Sequence, residues 1–195
     1  MNEFARATFA LVLAVAPLGA IPIFAAYLRD VSAETRVRGA IAVGLISVAL
    51  LAATIAVGDP LLDWIEVSPE NFQVAAGILI APVALRLLVT GDSMITPEEA
   101  DGPMPRRAWL IPLVFPLIVG PASLAAAISY GTRYGEGETI GAAAVASAIA
   151  LLACAYAPWL TERLGKLPIG ALGRLNGALL MIVVVELIVD GVQTV

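Results

Sequence analysis

Ala16-Pro-Leu-Gly-Ala-Ile-Pro22 and Phe115-Pro-Leu-Ile-Val-Gly-Pro121 decide how the rest of the chain reads, because each sets two prolines five residues apart inside an otherwise apolar run. Proline has no amide hydrogen and its ring collides with the preceding turn, so Pro17 with Pro22, and Pro116 with Pro121, should unwind a helix in two matched places. Unwound backbone in hydrocarbon persists only where protein or a water-filled cavity satisfies the freed groups. Paired interruptions in corresponding halves of a small membrane protein therefore point to a binding site.

The rest of the chain supplies the membrane. Of 195 residues, 60% are hydrophobic and 14% charged, and the mean hydropathy is +0.93, a profile foreign to soluble domains. The length fits about six spans of roughly 20 residues and little else. They are placed near residues 4–28, 38–58, 72–90, 108–129, 140–160 and 172–192. The first apolar run is too long for a signal peptide and lacks a cleavage region behind it, so it reads as a span. A single cysteine, Cys154, excludes an internal disulfide and a thiolate metal cage, and the absence of histidine removes the commonest metal ligand. The net charge of −5 argues against nucleic acid as a partner. Asp59, Asp63, Glu66 and Glu70, and Asp92, Glu98, Glu99 and Asp101, read as solvated loop charge. The segment 59–69 is expected to be a loop that lies at the interface or dips into the membrane.

The two halves repeat at an offset of one hundred. Gly77, Leu79, Val83, Leu87, Val89 and Gly91 fall on Gly177, Leu179, Val183, Leu187, Val189 and Gly191, and Pro60 and Pro69 nearly on Pro158 and Pro168. The expected architecture is one all-α transmembrane domain, 1–195, of six helices. It divides into two three-helix repeats of about 1–95 and 104–195, with helices 1 and 4 broken. Three is odd, so the second copy enters the membrane from the opposite side, giving an inverted repeat. Nine of the eleven basic residues fall on the loops of one side and only Arg6 and Arg133 on the other. The positive-inside rule then puts both termini outside a bacterial or archaeal plasma membrane.

Each broken helix becomes two halves, the second starting around Pro22 or Pro121, where proline suits the first helical position. A helix N-terminus offers orphan amides and partial positive charge to a carboxylate or phosphate. Carbonyls of Ala16, Leu18 or Val119 face an ammonium group or a cation in this reading. Gly19, Ala20, Gly120 and Ala122 keep bulk low beside the backbone, and Ser123 offers a hydroxyl. The bland alternative is a pair of kinks in packed helices.

The same residues carry a likeness. Ala16 to Phe24, Pro112 to Pro121 and the ending Leu187-Ile-Val-Asp-Gly191 resemble the MarC family of bacterial and archaeal six-span membrane proteins, itself distantly similar to LysE-type amino-acid exporters. The resemblance covers essentially the whole chain. It implies transport of small neutral amino acids such as glycine and alanine, described for an archaeal relative. It places the site on Pro17, Gly19, Pro22, Pro116, Gly120 and Pro121. The chain departs at Ala16, where the family usually has Asn, and at Ala122, where it usually has Gly. The lost Asn amide removes a contact to ligand or ion.

Other polar residues inside spans are few. Glu186 and Asp190 lie four apart on one helix face and are candidates for coupling transport to a proton gradient, or for structural roles. Arg86, the repeat partner of Glu186, is not expected to pair with it. Gln73 and Asn176 are expected to bridge helices by hydrogen bonds, and are also site candidates. The small-residue run Gly141 to Ala150 favours close helix packing and offers a contact for a homo-oligomer. The leading expectation is a membrane transporter of a small zwitterion with lipid around it. No cofactor and no catalysis are expected, and proton or sodium coupling is left open. The runner-up is a lipid-phosphate carrier or flippase of polyprenyl-phosphate type.

Overall fold

The computed structural model describes residues 2–28, 31–91, 113–164 and 166–193, and all regular structure among them is helical. Helix α1, Glu3–Val15, starts where the Asn2 side chain accepts from the Ala5 N–H at 2.9 Å. Helix α2 is Pro17–Leu28. Helix α3, Ala33–Trp64, and helix α4, Pro69–Thr90, each open on a serine, Ser32 and Ser68, whose hydroxyl accepts from the amide three residues on. A π-helical turn, Leu113–Ile118, precedes α5, Pro121–Tyr134. Helices α6, Glu136–Leu164, and α7, Lys166–Gln193, complete the chain. Gly91 and Gly135 close α4 and α5 at φ 80° and 90°, where a side chain would be strained.

Four of these helices, α3, α4, α6 and α7, are long and apolar enough to cross a membrane. Their outward faces carry exposed Leu45, Ile78, Leu152 and Ile182, as helices surrounded by hydrocarbon do. The expected first span is two short helices, α1 and α2, with 13 and 12 residues, so it is broken as expected. The expected fourth is the π turn with the 14-residue α5, and its start, 108–112, lies outside the described residues.

Glycine sets the main seam. α4 and α7 make the most extensive contact of the fold. A Cβ on Gly177 would strike the Leu88 and Leu87 backbone, and one on Gly77 would meet the Ile188 side chain at 2.6 Å and the Val184 carbonyl at 3.1 Å. Near the helix ends, Gly91 abuts Gly170, and Gly191 lies where a Cβ would reach the Glu70 carbonyl at 2.7 Å. Backbones this close gain dispersion that larger residues would forbid. A second surface is α6, against which α1, α2 and α3 all lie. Its Ala142, Ala143, Ala146 and Ala150 are buried inside the protein, so part of the small-residue run serves internal packing.

Two expectations change. α2 begins at Pro17, and Pro22 lies inside it rather than at its start. α3 runs through Pro60 to Trp64, so 59–64 is helix and the turn is confined to the residues just beyond. Proline inside an apolar helix therefore does not itself break it: Pro60, Pro82 and Pro158 all sit within continuous helices. Each costs one ladder bond, and the surrounding helix continues past it.

Gly177→Val should force α4 and α7 apart and destabilise the fold by about 2 kcal/mol, in the range typical of overpacking. Thermal unfolding in detergent checks this, with Gly137→Ala, where an added Cβ meets nothing within 4 Å, as the control that does not destabilise.

Candidate functional site at the paired helix breaks

The first break sits on one residue. Ala16 has φ 49° and ψ 48°, left-handed backbone, and its N–H donates to the Val12 carbonyl at 3.1 Å to close α1. Pro17 has no hydrogen to give the Leu13 carbonyl four residues back. That carbonyl accepts instead from the Asn176 side-chain amide at 3.2 Å, across 163 residues of sequence. Asn176 is buried. The ladder resumes when the Ala20 N–H donates to the Ala16 carbonyl at 3.3 Å. Leu18 lies in the first turn of α2, where amides have no intrahelical partner.

The second break is longer. Phe115, before Pro116, is extended (φ −127°, ψ 128°), and Gly120, before Pro121, is extended too (φ −103°, ψ −178°). A proline disfavours helical backbone in the residue it follows, and both positions obey that rule. The Val119 N–H reaches five residues back to Val114 at 2.8 Å. The Ser123 hydroxyl accepts from the Gly120 N–H at 2.9 Å and lies 2.9 Å and 3.0 Å from the Ile118 and Gly120 carbonyls. With one hydrogen it donates to one of them at a time. The hydroxyl offered to a ligand by the sequence is thus a brace for the break. The amides of Ala122 and Ser123 open α5, with Pro121 at its first position.

The two breaks lie on touching elements: α1 packs on α5 and α2 on the π turn. Ala16, Pro17, Val119, Gly120, Ala122 and Ser123 are buried, Leu18 is half-buried and Pro121 is exposed. Gly19 and Pro22 belong to the α2 backbone and Pro116 to the π turn. Gln73 is buried on α4. The carboxylates are elsewhere. Asp190 forms an ion pair with Arg133 at the far end of α5, a helix about 20 Å long at 1.5 Å per residue. Arg86 and Glu186 do not pair with each other, and neither forms an ion pair among the described residues. Asn176 bridges two helices by a hydrogen bond, as expected, although its partner was not named by the sequence reading. Leu13 lies four residues before Pro17, which marks an orphan carbonyl, and Asn176 is one of few amide side chains in an apolar run. The Arg133 link to Asp190 had no such local sign.

The class is an all-helical integral membrane protein with interrupted helices. The chain matches the model of MarC family integral membrane proteins over residues 1–195, and it belongs to that family. It is similar to the UPF0056 membrane protein YhcE of Escherichia coli K12, 28% identical with 92% of this chain and 86% of that protein covered. It is also similar to the UPF0056 inner membrane protein YhgN of the same bacterium, at 26% identity with 99% and 98% covered. A membrane protein of Buchnera aphidicola is 24% identical over 99% of this chain and 97% of its own length. No solved structure matches the chain.

The departure at Ala16 now has a backbone meaning, because Asn is one of the few residues that enter left-handed backbone readily. Ala16→Asn or Ala16→Gly should raise stability by about 1 kcal/mol and Ala16→Val should lower it by more, measured by denaturant unfolding in micelles. Asn176→Ala should cost about 1 kcal/mol by stranding the Leu13 carbonyl, whereas Asn176→Gln tests reach alone.

Proposed function

We propose that this protein is a secondary transporter of a small neutral amino acid or similar zwitterion, working by alternating access at the paired breaks. Two inverted three-helix repeats carry it, six spans in all, with α1 and α2 forming the first span and the π turn and α5 belonging to the fourth. The reciprocity of the α4 and α7 contacts supports this. Gly77 meets 184 and 188 while Gly177 meets 84 and 88; Gly91 meets 170 while Gly191 meets 70. Exchanging every residue for its partner one hundred positions away turns each contact into another, the mark of a two-fold relation. Ser47 and Ser147, also one hundred apart, are both fully buried.

One observation carries the functional reading: both interrupted helices restart with unladdered amides, at Leu18 and at Ala122 and Ser123, and the elements flanking them touch, α1 on α5 and α2 on the π turn. Those amides suit a carboxylate, and the carbonyls ending α1 suit an ammonium group. The buried state of these residues corresponds to an occluded conformation, which one repeat opens by rocking against the other. The distribution of basic residues supports termini outside, the printed name of the relative YhgN supports a bacterial inner membrane, and coupling to protons or sodium is part of the same proposal. A lipid-phosphate carrier competes, since helix N-termini receive phosphate equally well.

Proteoliposomes should take up radiolabelled glycine or alanine. Pro17→Ala with Pro121→Ala, which gives each break the amide hydrogen it lacks, should reduce flux at least about tenfold without loss of folded protein. Absence of flux for every neutral amino acid, with transbilayer movement of a polyprenyl phosphate in the same vesicles, would replace this reading by its competitor.

A further inference from the structure

The space between α5 and α7 runs from the breaks to one end of the bundle. α5 packs on α1, α3, α4 and α6, and α7 on α1, α2, α4 and α6, so both lie on α4 without being seated on each other. The breaks stand at one end of that gap: α5 begins at Pro121, and Asn176 of α7 donates to the Leu13 carbonyl. From Pro121 to Arg133, and from Asn176 to Asp190, the two helices advance about 18 Å and 21 Å at 1.5 Å per residue. There the ion pair of Arg133 with Asp190 spans the gap.

An aromatic layer lies beside the pair. Arg133 stacks over the Tyr134 ring, 5.1 Å from its centroid, and the rings of Tyr134 and Tyr130 are 5.7 Å apart. Tyr130 is 1% exposed, and the hydroxyls of both tyrosines are buried with no hydrogen-bond partner among the described residues. A buried hydroxyl without a partner costs free energy that entering water restores. The closed gap is therefore opposed by its own tyrosines. What holds it is an ion pair that is partly exposed, and such pairs part easily.

The fold contains this gap twice. About one hundred residues earlier stand α2 and α4, which are likewise not seated on each other. Arg133 and Asp190 correspond to Ala33 and Thr90, and no ion pair joins α2 to α4 among the described residues. Of two equivalent gaps at opposite faces, one is latched by charge and the other is not.

We propose that Arg133 and Asp190 are the latch of an outer gate, which holds the ends of α5 and α7 together over Tyr130 and Tyr134 and closes the way from the breaks to the outside. The proposal rests on the reading of the breaks as the binding site and of the termini as outside, and it requires no particular substrate. Opening parts the ion pair and hydrates the two tyrosine hydroxyls.

The test uses the full-length protein in nanodiscs with Cys154→Ala. Spin labels sit on Gly137→Cys, just past α5 where an added Cβ meets nothing within 4 Å, and on Val192→Cys at an exposed position near the end of α7. Pulsed electron spin resonance should give one short distance with the pair intact. Arg133→Gln or Asp190→Asn should raise the proportion of a longer distance to the short one at least about tenfold. Exchanging the charges, Arg133→Asp with Asp190→Arg, should restore the short distance. Tyr130→Phe with Tyr134→Phe, which removes the orphan hydroxyls, should move Arg133→Gln back towards it. In spheroplasts, Ala122→Cys at the second break should react with a membrane-impermeant thiol reagent at least about tenfold faster in Arg133→Gln than with the pair intact. Thermal unfolding establishes that each variant is folded. Unchanged distances in both single variants, a charge exchange that does not restore closure, or a longer distance without faster reaction from outside overturns the latch. No amino acid enters these measurements, so absence of flux counts against the function of the breaks alone, and an unmoved distance against the latch alone.

Discussion

The structure turns on a hydrogen that Pro17 does not have. Inside an apolar span, a carbonyl without a donor costs about 1–3 kcal/mol, and no bulk water repairs it. The Leu13 carbonyl is in that position, and the donor that reaches it comes from Asn176 on α7. The bond that heals the break therefore also fastens the last helix to the first. At the other break the repair is local, with Ser123 bracing Gly120 and Ile118 from within α5. One break is held by a distant helix and the other by its own first turn, so the two ends are chemically unequal although their sequences match.

Around these breaks the fold is built for close approach. The glycine seam between α4 and α7 lets two backbones touch, and α6 offers alanines to α1, α2 and α3 at once. Without water in the bilayer core to drive burial, such packing and the few interhelical hydrogen bonds supply what a hydrophobic core supplies elsewhere. The short helices α1, α2 and α5 depend on it most, since none, at 12 to 14 residues, has the length to cross the hydrocarbon alone. Their placement against long, continuous helices is what permits an interrupted backbone to persist.

Much of this was written in the residues. Apolar composition gave a membrane protein, the proline motifs gave the neighbourhood of both breaks, and glycines at an offset of one hundred marked a repeat, though not the seam that they form. The exact break was not legible, because a proline alone does not determine it: Pro22, Pro60, Pro82 and Pro158 sit inside helices, while the residue ahead of Pro17 turns left-handed. That choice depends on whether a donor such as Asn176 stands opposite the freed carbonyl, a tertiary fact. The same holds for Ser123, whose hydroxyl looked free for a ligand and is taken by the backbone. The pairing of Arg133 with Asp190 depends on where α5 ends relative to α7, which no local pattern encodes.

The central claim is that the restarts of α2 and α5 meet at a polar, ligand-accessible point within apolar spans. Single cysteines at Leu18 and at Ala122, read against the buried native Cys154, measure this directly through reaction with a small hydrophilic thiol reagent in membranes. The account predicts that both react from water and that a neutral amino acid slows the reaction. Cysteines at these positions as inert as Cys154, with or without amino acid, would contradict it.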